Sequence, residues 1–139
     1  MSIRYEPAPD MDAAVRRIAR LLEMDHIDHR VRCVRSRGSR SRWTLARCHA
    51  MSAVFPVALG IPMHYVIEVI SETFDVLDTE EKIKTLIHEM LHVPPSFGGG
   101  LKSHRYVTDR RTNRLYDAYL EAETRESGTY EEALDKFLA

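Results

Sequence analysis

The residues His88-Glu89-Met90-Leu91-His92 set two imidazoles four positions apart, with a carboxylate directly after the first. On a helix, positions i and i+4 lie one turn apart on one face, so both imidazoles can reach a single ion. The carboxylate points slightly to the side, where it meets a metal-bound water without displacing it. Imidazole ligands favour zinc among the divalent ions. The chemistry these types and spacings offer is hydrolysis by an activated water, with Glu89 as general base.

Two histidines do not complete such a site, because a catalytic zinc takes three protein ligands and leaves a fourth position to water. His104 is the first candidate for the third. It follows Pro94-Pro95 and the run Gly98-Gly99-Gly100, where the chain can turn back across a cleft. Glu121 and Glu123, on a later helical stretch, are the alternatives. A third histidine six residues after the second is absent, since position 98 is Gly. The expectation is one Zn2+ per chain. His26, His29, His49 and His64 read as ordinary surface or internally satisfied histidines.

The elements that must position these groups are legible from periodicity. Ile83, Leu86, Ile87, Met90 and Leu91 repeat at helical spacing. Asp78, followed three residues later by Glu81, predicts the start of this helix, and Pro94-Pro95 its end. With Ile83 at zero and about 100° per residue, the apolar positions gather within roughly 80°. His88, His92 and Glu89 then fall at roughly 140°, 180° and 240°, on the side away from the core. Before this helix, His64 to Ile70 is the strongest strand in the chain, β-branched, aromatic and nearly continuous in apolar character. Val31 to Arg35 and Trp43 to Met51 read as an antiparallel hairpin turning at Ser36 to Ser41, with Cys33 and Cys48 facing each other across it. An N-terminal helix runs from Asp10, its expected cap, to about Glu23, after an irregular lead-in up to Pro9. A long helix over Thr112 to Arg125 and a short one over Tyr130 to Leu138 close the chain. The fold class is α+β: a sheet of about three or four antiparallel or mixed strands against the N-terminal helix and the H-E-x-x-H helix, with C-terminal helices, all within one domain over residues 1–139.

The stretch from Tyr65 to His104, YVIEVISETFDVLDTEEKIKTLIHEMLHVPPSFGGGLKSH, resembles the predicted metallopeptidases of archaea and phages. In that family a strand, an H-E-x-x-H helix, a Pro-Ser-Phe-Gly-Gly segment and a later histidine recur in order, and RSRGS at Arg35 to Ser39 is similar to another of its signatures. The outline is similar to SprT-like minimal zincins. The resemblance implies a zincin-like fold, His88, His92 and His104 as ligands, Glu89 as base, and a peptide or protein substrate. It further implies that the strand before the active-site helix lies along the cleft. A donor to the developing oxyanion is expected after the third ligand, with Arg105, Tyr106 and Tyr116 as candidates.

Composition sets limits on the rest. The chain has 139 residues, 44% hydrophobic and 29% charged, with a formal net charge of −1, ordinary values for a globular protein. Two cysteines are too few for a secreted disulfide framework, no signal-peptide core opens the chain, and no apolar run is long enough for a bilayer. The expectation is a cytoplasmic protein with free thiols and no membrane partner. The charge is unevenly placed: seven arginines lie between Arg30 and Arg47 with no acid among them. Arg35, Arg37, Arg40 and Arg42 are therefore candidate phosphate contacts, with Trp43 beside them for stacking. A competing reading follows, in which the chain is a nucleic-acid-associated module whose metal only braces the fold. Glu89 separates the two readings, because a structural site closes with four protein ligands and needs no acid beside them.

Overall fold

The computed structural model describes residues 2–127. In chain order its elements are β1 (Arg4–Pro7), α1 (Pro9–Leu21), β2 (Val31–Arg37), β3 (Ala46–Ala50), α2 (Val54–Leu59), β4 (Tyr65–Ile70), α3 (Ser71–Phe74), α4 (Thr79–His92) and α5 (Asp109–Ser127). The fold is α+β, and the four strands form one mixed sheet in the order β1-β2-β4-β3.

The most apolar strand takes the centre. β4 pairs parallel with β2 and antiparallel with β3, while β1 adds antiparallel to the far edge of β2. Its alternate residues Tyr65, Ile67 and Val69 are fully buried and join Val15 and Ile18 of α1 and Ile83, Leu86, Ile87 and Met90 of α4 in the core. Each such side chain contributes about 2 kcal/mol of transfer free energy. The expected hairpin therefore does not form. β2 and β3 carry the arginines and flank β4 instead of pairing with each other, because only a strand apolar on nearly every position suits burial between two neighbours. Cys33 and Cys48 both sit opposite Ile67, on its two sides, so a whole strand separates them and both are free thiols.

Other boundaries shifted for local reasons. The lead-in contains β1, whose Arg4 to Pro7 add to the open edge of β2. Asp10 is not the cap of α1. Ala8 takes that place, Pro9 supplies the fixed φ of a first turn, and Asp10 turns to Arg35 at 2.7 Å. α5 begins three residues earlier than expected, at Asp109. The short helix α2 was not anticipated in the Pro/Gly-punctuated stretch. The expected closing helix over Tyr130 to Leu138 lies outside the described residues.

α4 starts and stops as its sequence predicts. The Asp78 carboxylate accepts a hydrogen bond from the Glu81 amide at 2.9 Å, and Val93, held extended before Pro94, ends the helix. The opposite side of α4 is not open to water, however. α4 packs against β3 and α5 as well, leaving Glu89 and His92 buried and His88 half-buried. The Arg17–Glu123 ion pair, 2.6 Å between Nε and Oε1, fastens α1 to α5. No helix among the described residues is long and apolar enough to cross a membrane.

Candidate metal centre and active site

The last two turns of α4 and the segment after it bring three imidazoles together. The Nε2 atoms of His88 and His92 stand 3.3 Å apart. Nitrogens sharing one tetrahedral zinc are separated by about the same distance at ordinary Zn–N lengths. The His104 ring lies 5.4 Å from that of His88 and 4.8 Å from that of His92 between centroids. One nitrogen from each of the three falls within 4.8 Å of the other two, so this group can hold a metal ion. Its chemistry, three imidazoles from a helix and a loop, suits zinc.

His104 is delivered by a loop whose path is fixed from below. At the start of β4, the Tyr65 hydroxyl accepts from the Gly99 amide and donates to the Gly100 carbonyl, both at 2.9 Å. Its ring meets Phe97 edge-on at 5.3 Å, and the Arg30 guanidinium covers the other aromatic ring at 3.7 Å. Gly99 has φ +95°, a left-handed conformation that favours glycine, and a Cβ there would also press on Met63 Cε at 3.2 Å, to which the flexible methionine would have to yield. The Lys102 backbone then clamps the end of α4 twice: its amide donates to the His92 carbonyl at 2.8 Å, and its carbonyl accepts from His92 Nδ1 at 2.6 Å. The second bond fixes the His92 tautomer and turns the lone pair of Nε2 towards the other imidazoles. Nothing in the type or spacing of Lys102 signals this role, because it is played by backbone atoms.

Electrostatics separate the groups further. Burial, then the neighbouring His92 and His104, holds the His88 imidazole below its usual pKa, in the neutral form that ligates metals. Burial pushes the Glu89 carboxyl up to about 7. Its neighbour Cys48, on β3, is driven up to about 12 by burial and by the charge of Glu89.

Two adjoining cavities open onto these residues, and Ala46, His88 and Glu89 line both. The larger, about 560 Å³, runs between the N-terminal half of α4, the start of α5 and the chain around Trp43 to Ala46. The smaller, about 270 Å³, holds His92, His104, Leu101, Cys48 and Arg47. The edge strand along the cleft is β3, not the strand preceding the helix, because β4 lies in the centre of the sheet.

The other sequence candidates are placed as follows. Glu121 pairs with Arg125 on the surface of α5, and Glu123 with Arg17, so neither joins the three imidazoles. Tyr106 is held between Lys102 and Arg111, with the ammonium at 4.5 Å and the guanidinium at 4.1 Å from its ring, and lines a separate cavity. Tyr116 is buried beneath Lys84. Arg105 is exposed beside His104. Arg35 is spent on Asp10 and Asp75, and Arg37 on Glu6 and Ser71. Among the described residues Arg40 and Arg42 make no ion pair, and both lie at the surface beside Trp43, which is 88% exposed. Sequence reading passed over Glu81, Thr85, Asp109, Thr112 and Asn113, which line the larger cavity from two helices far apart in the chain.

No curated protein and no solved structure matches the chain. A family model matches residues 3–122, from β1 through the three histidines and most of α5. That match spans most of the chain and includes the three imidazoles that could hold a metal ion, and the chain belongs to the family described as "Putative phage metallopeptidase".

Proposed function

We propose that the protein is a zinc-dependent peptidase in which His88, His92 and His104 hold one Zn2+ and Glu89 is the general base. The observation that carries this reading is a buried, cation-free carboxylate directly beside three converging imidazoles. Bound there, zinc would acidify a water and polarise the substrate carbonyl.

The chain's own residues then have distinct tasks. Glu89 takes a proton from the attacking water and returns it to the leaving amine, a role suited to a carboxyl raised towards neutrality. Lys102, through its carbonyl, keeps His92 oriented. Arg105, the residue after His104, has an exposed guanidinium and is our choice among the three donors to the oxyanion, since Tyr106 and Tyr116 are engaged elsewhere. The exposed edge of β3 would receive the substrate as an added extended strand.

Metal analysis of the purified protein beside the His88→Ala and His104→Ala variants tests the site. About one zinc per chain, lost in the first and weakened in the second, is the expected result. No metal in the native protein and no uptake on adding zinc would overturn the reading.

A further inference from the structure

We propose that the larger cavity is a subsite for a basic side chain, arginine or lysine, of a substrate residue next to the bond to be cleaved. This rests on the hydrolase reading and deepens it by naming a substrate class.

The cavity shares His88 and Glu89 with the metal centre and extends from them along α4 to Glu81, about 10 Å along the helix axis. A long side chain reaches that far and a short one does not. Its charged lining is mostly acidic: Glu81, Glu89 and Asp109 against one cation, Lys84. That cation is already engaged, with its ammonium 3.1 Å from the Glu80 carboxylate and 5.0 Å from the Tyr116 ring. Glu81 and Asp109 both line the cavity and form no ion pair among the described residues. A second kind of acceptor stands beside them. Thr112 is 5% exposed, lines the same cavity, and its hydroxyl has no hydrogen-bond partner in the fold.

The opposite wall fits the same ligand. Trp43 lies 88% exposed on the rim, where its ring gains nothing from folding. An aromatic ring lining a cavity with two unpaired carboxylates suits a guanidinium or ammonium on an apolar stem, which can pack against the ring while the cation meets the acids. A neutral or acidic side chain would leave those carboxylates unpaired or repelled.

The zinc-loaded Glu89→Gln protein is titrated with labelled short peptides carrying arginine or its uncharged isostere citrulline at each position in turn. At one position arginine should bind about ten-fold more tightly than citrulline. The Glu81→Gln/Asp109→Asn double variant should bring the two peptides to near equality, and Trp43→Ala, at an exposed rim position, should weaken the arginine peptide by about three-fold. Equal binding of arginine and citrulline at every position, or a preference that survives loss of both carboxylates, would overturn the subsite. Turnover of the same peptides by the wild-type protein reports separately on hydrolysis. Arginine-selective binding without cleavage would discard the peptidase and keep the subsite, whereas cleavage without selectivity would do the reverse.

Discussion

Glu89 and Glu123 are both buried glutamates in the last part of a helix, and they are treated in opposite ways. The Glu123 side chain is fully enclosed and meets Arg17 at 2.6 Å, with the Tyr119 ring beside them, so its charge is balanced where it sits. Glu89 is 6% exposed, forms no ion pair among the described residues, and lines the same small cavity as the three imidazoles. Glu68 repeats the first pattern on the sheet. Burial there would raise its carboxyl, but the Ser36 hydroxyl, His49 at 2.7 Å and the Arg47 charge outweigh it and hold the group below its ordinary value. The contrast teaches that this fold can supply a counter-ion to a buried acid and does so twice. Leaving Glu89 without one costs stability, a cost consistent with the general-base role proposed for it.

That comparison can be broken by neutralising each acid in turn. Glu89→Gln should lower peptide hydrolysis by roughly 10²–10⁴-fold, while zinc content is kept and thermal stability is unchanged or raised. Full activity in this variant would remove Glu89 from the chemistry. Glu123→Gln should do the opposite, costing about 3 kcal/mol of unfolding free energy because Arg17 is left without its partner, with zinc stoichiometry intact. Denaturant unfolding of both variants side by side decides between a shared and a divided role. A smaller effect is expected at the loop that carries His104. Tyr65→Phe removes two hydrogen bonds to Gly99 and Gly100 and should cost about 1 kcal/mol each of loop order, read as weaker zinc affinity with little change in secondary structure.

The smallest effect belongs to a partly exposed acid. Arg30 holds the Asp28 carboxyl down at about 2, against an ordinary 3.8. A depressed carboxylate adds stability above the unfolded value and loses it as pH falls through the folded one. The stability gap between wild type and Asp28→Asn should therefore be constant above pH 4 and close between about 4 and 2. Salt should shrink it throughout, since the pair is partly exposed and screened. A gap that widens on acidification would mean another group governs that window.

The sequence by itself determined what is local. Asp78 and Pro94 bound α4, the apolar repeat turns one side of it into the core, and the four-residue spacing stacks His88 over His92, because helical geometry fixes neighbours three and four residues apart. The β-branched, aromatic and nearly continuous apolar character of His64 to Ile70 marked the main strand in the same way. Tertiary structure alone decided the contacts between distant segments. The strand order placed β4 between β2 and β3, which dissolved the expected hairpin, parted the two cysteines and made β3 the edge along the cleft. Ion pairing with Asp10, Asp75 and Glu6 turned Arg35 and Arg37 from phosphate candidates into staples of the fold. His104 is already the first candidate for the third member of the cluster, ahead of Glu121 and Glu123, on the strength of the glycine run before it; what the sequence does not show is how the loop is held, by the Tyr65 hydroxyl on Gly99 and Gly100 and by the Lys102 backbone on His92. Spacing along one helix is written in the chain; which surfaces meet is settled by the total burial and pairing of the whole molecule, to which each residue contributes only a small share.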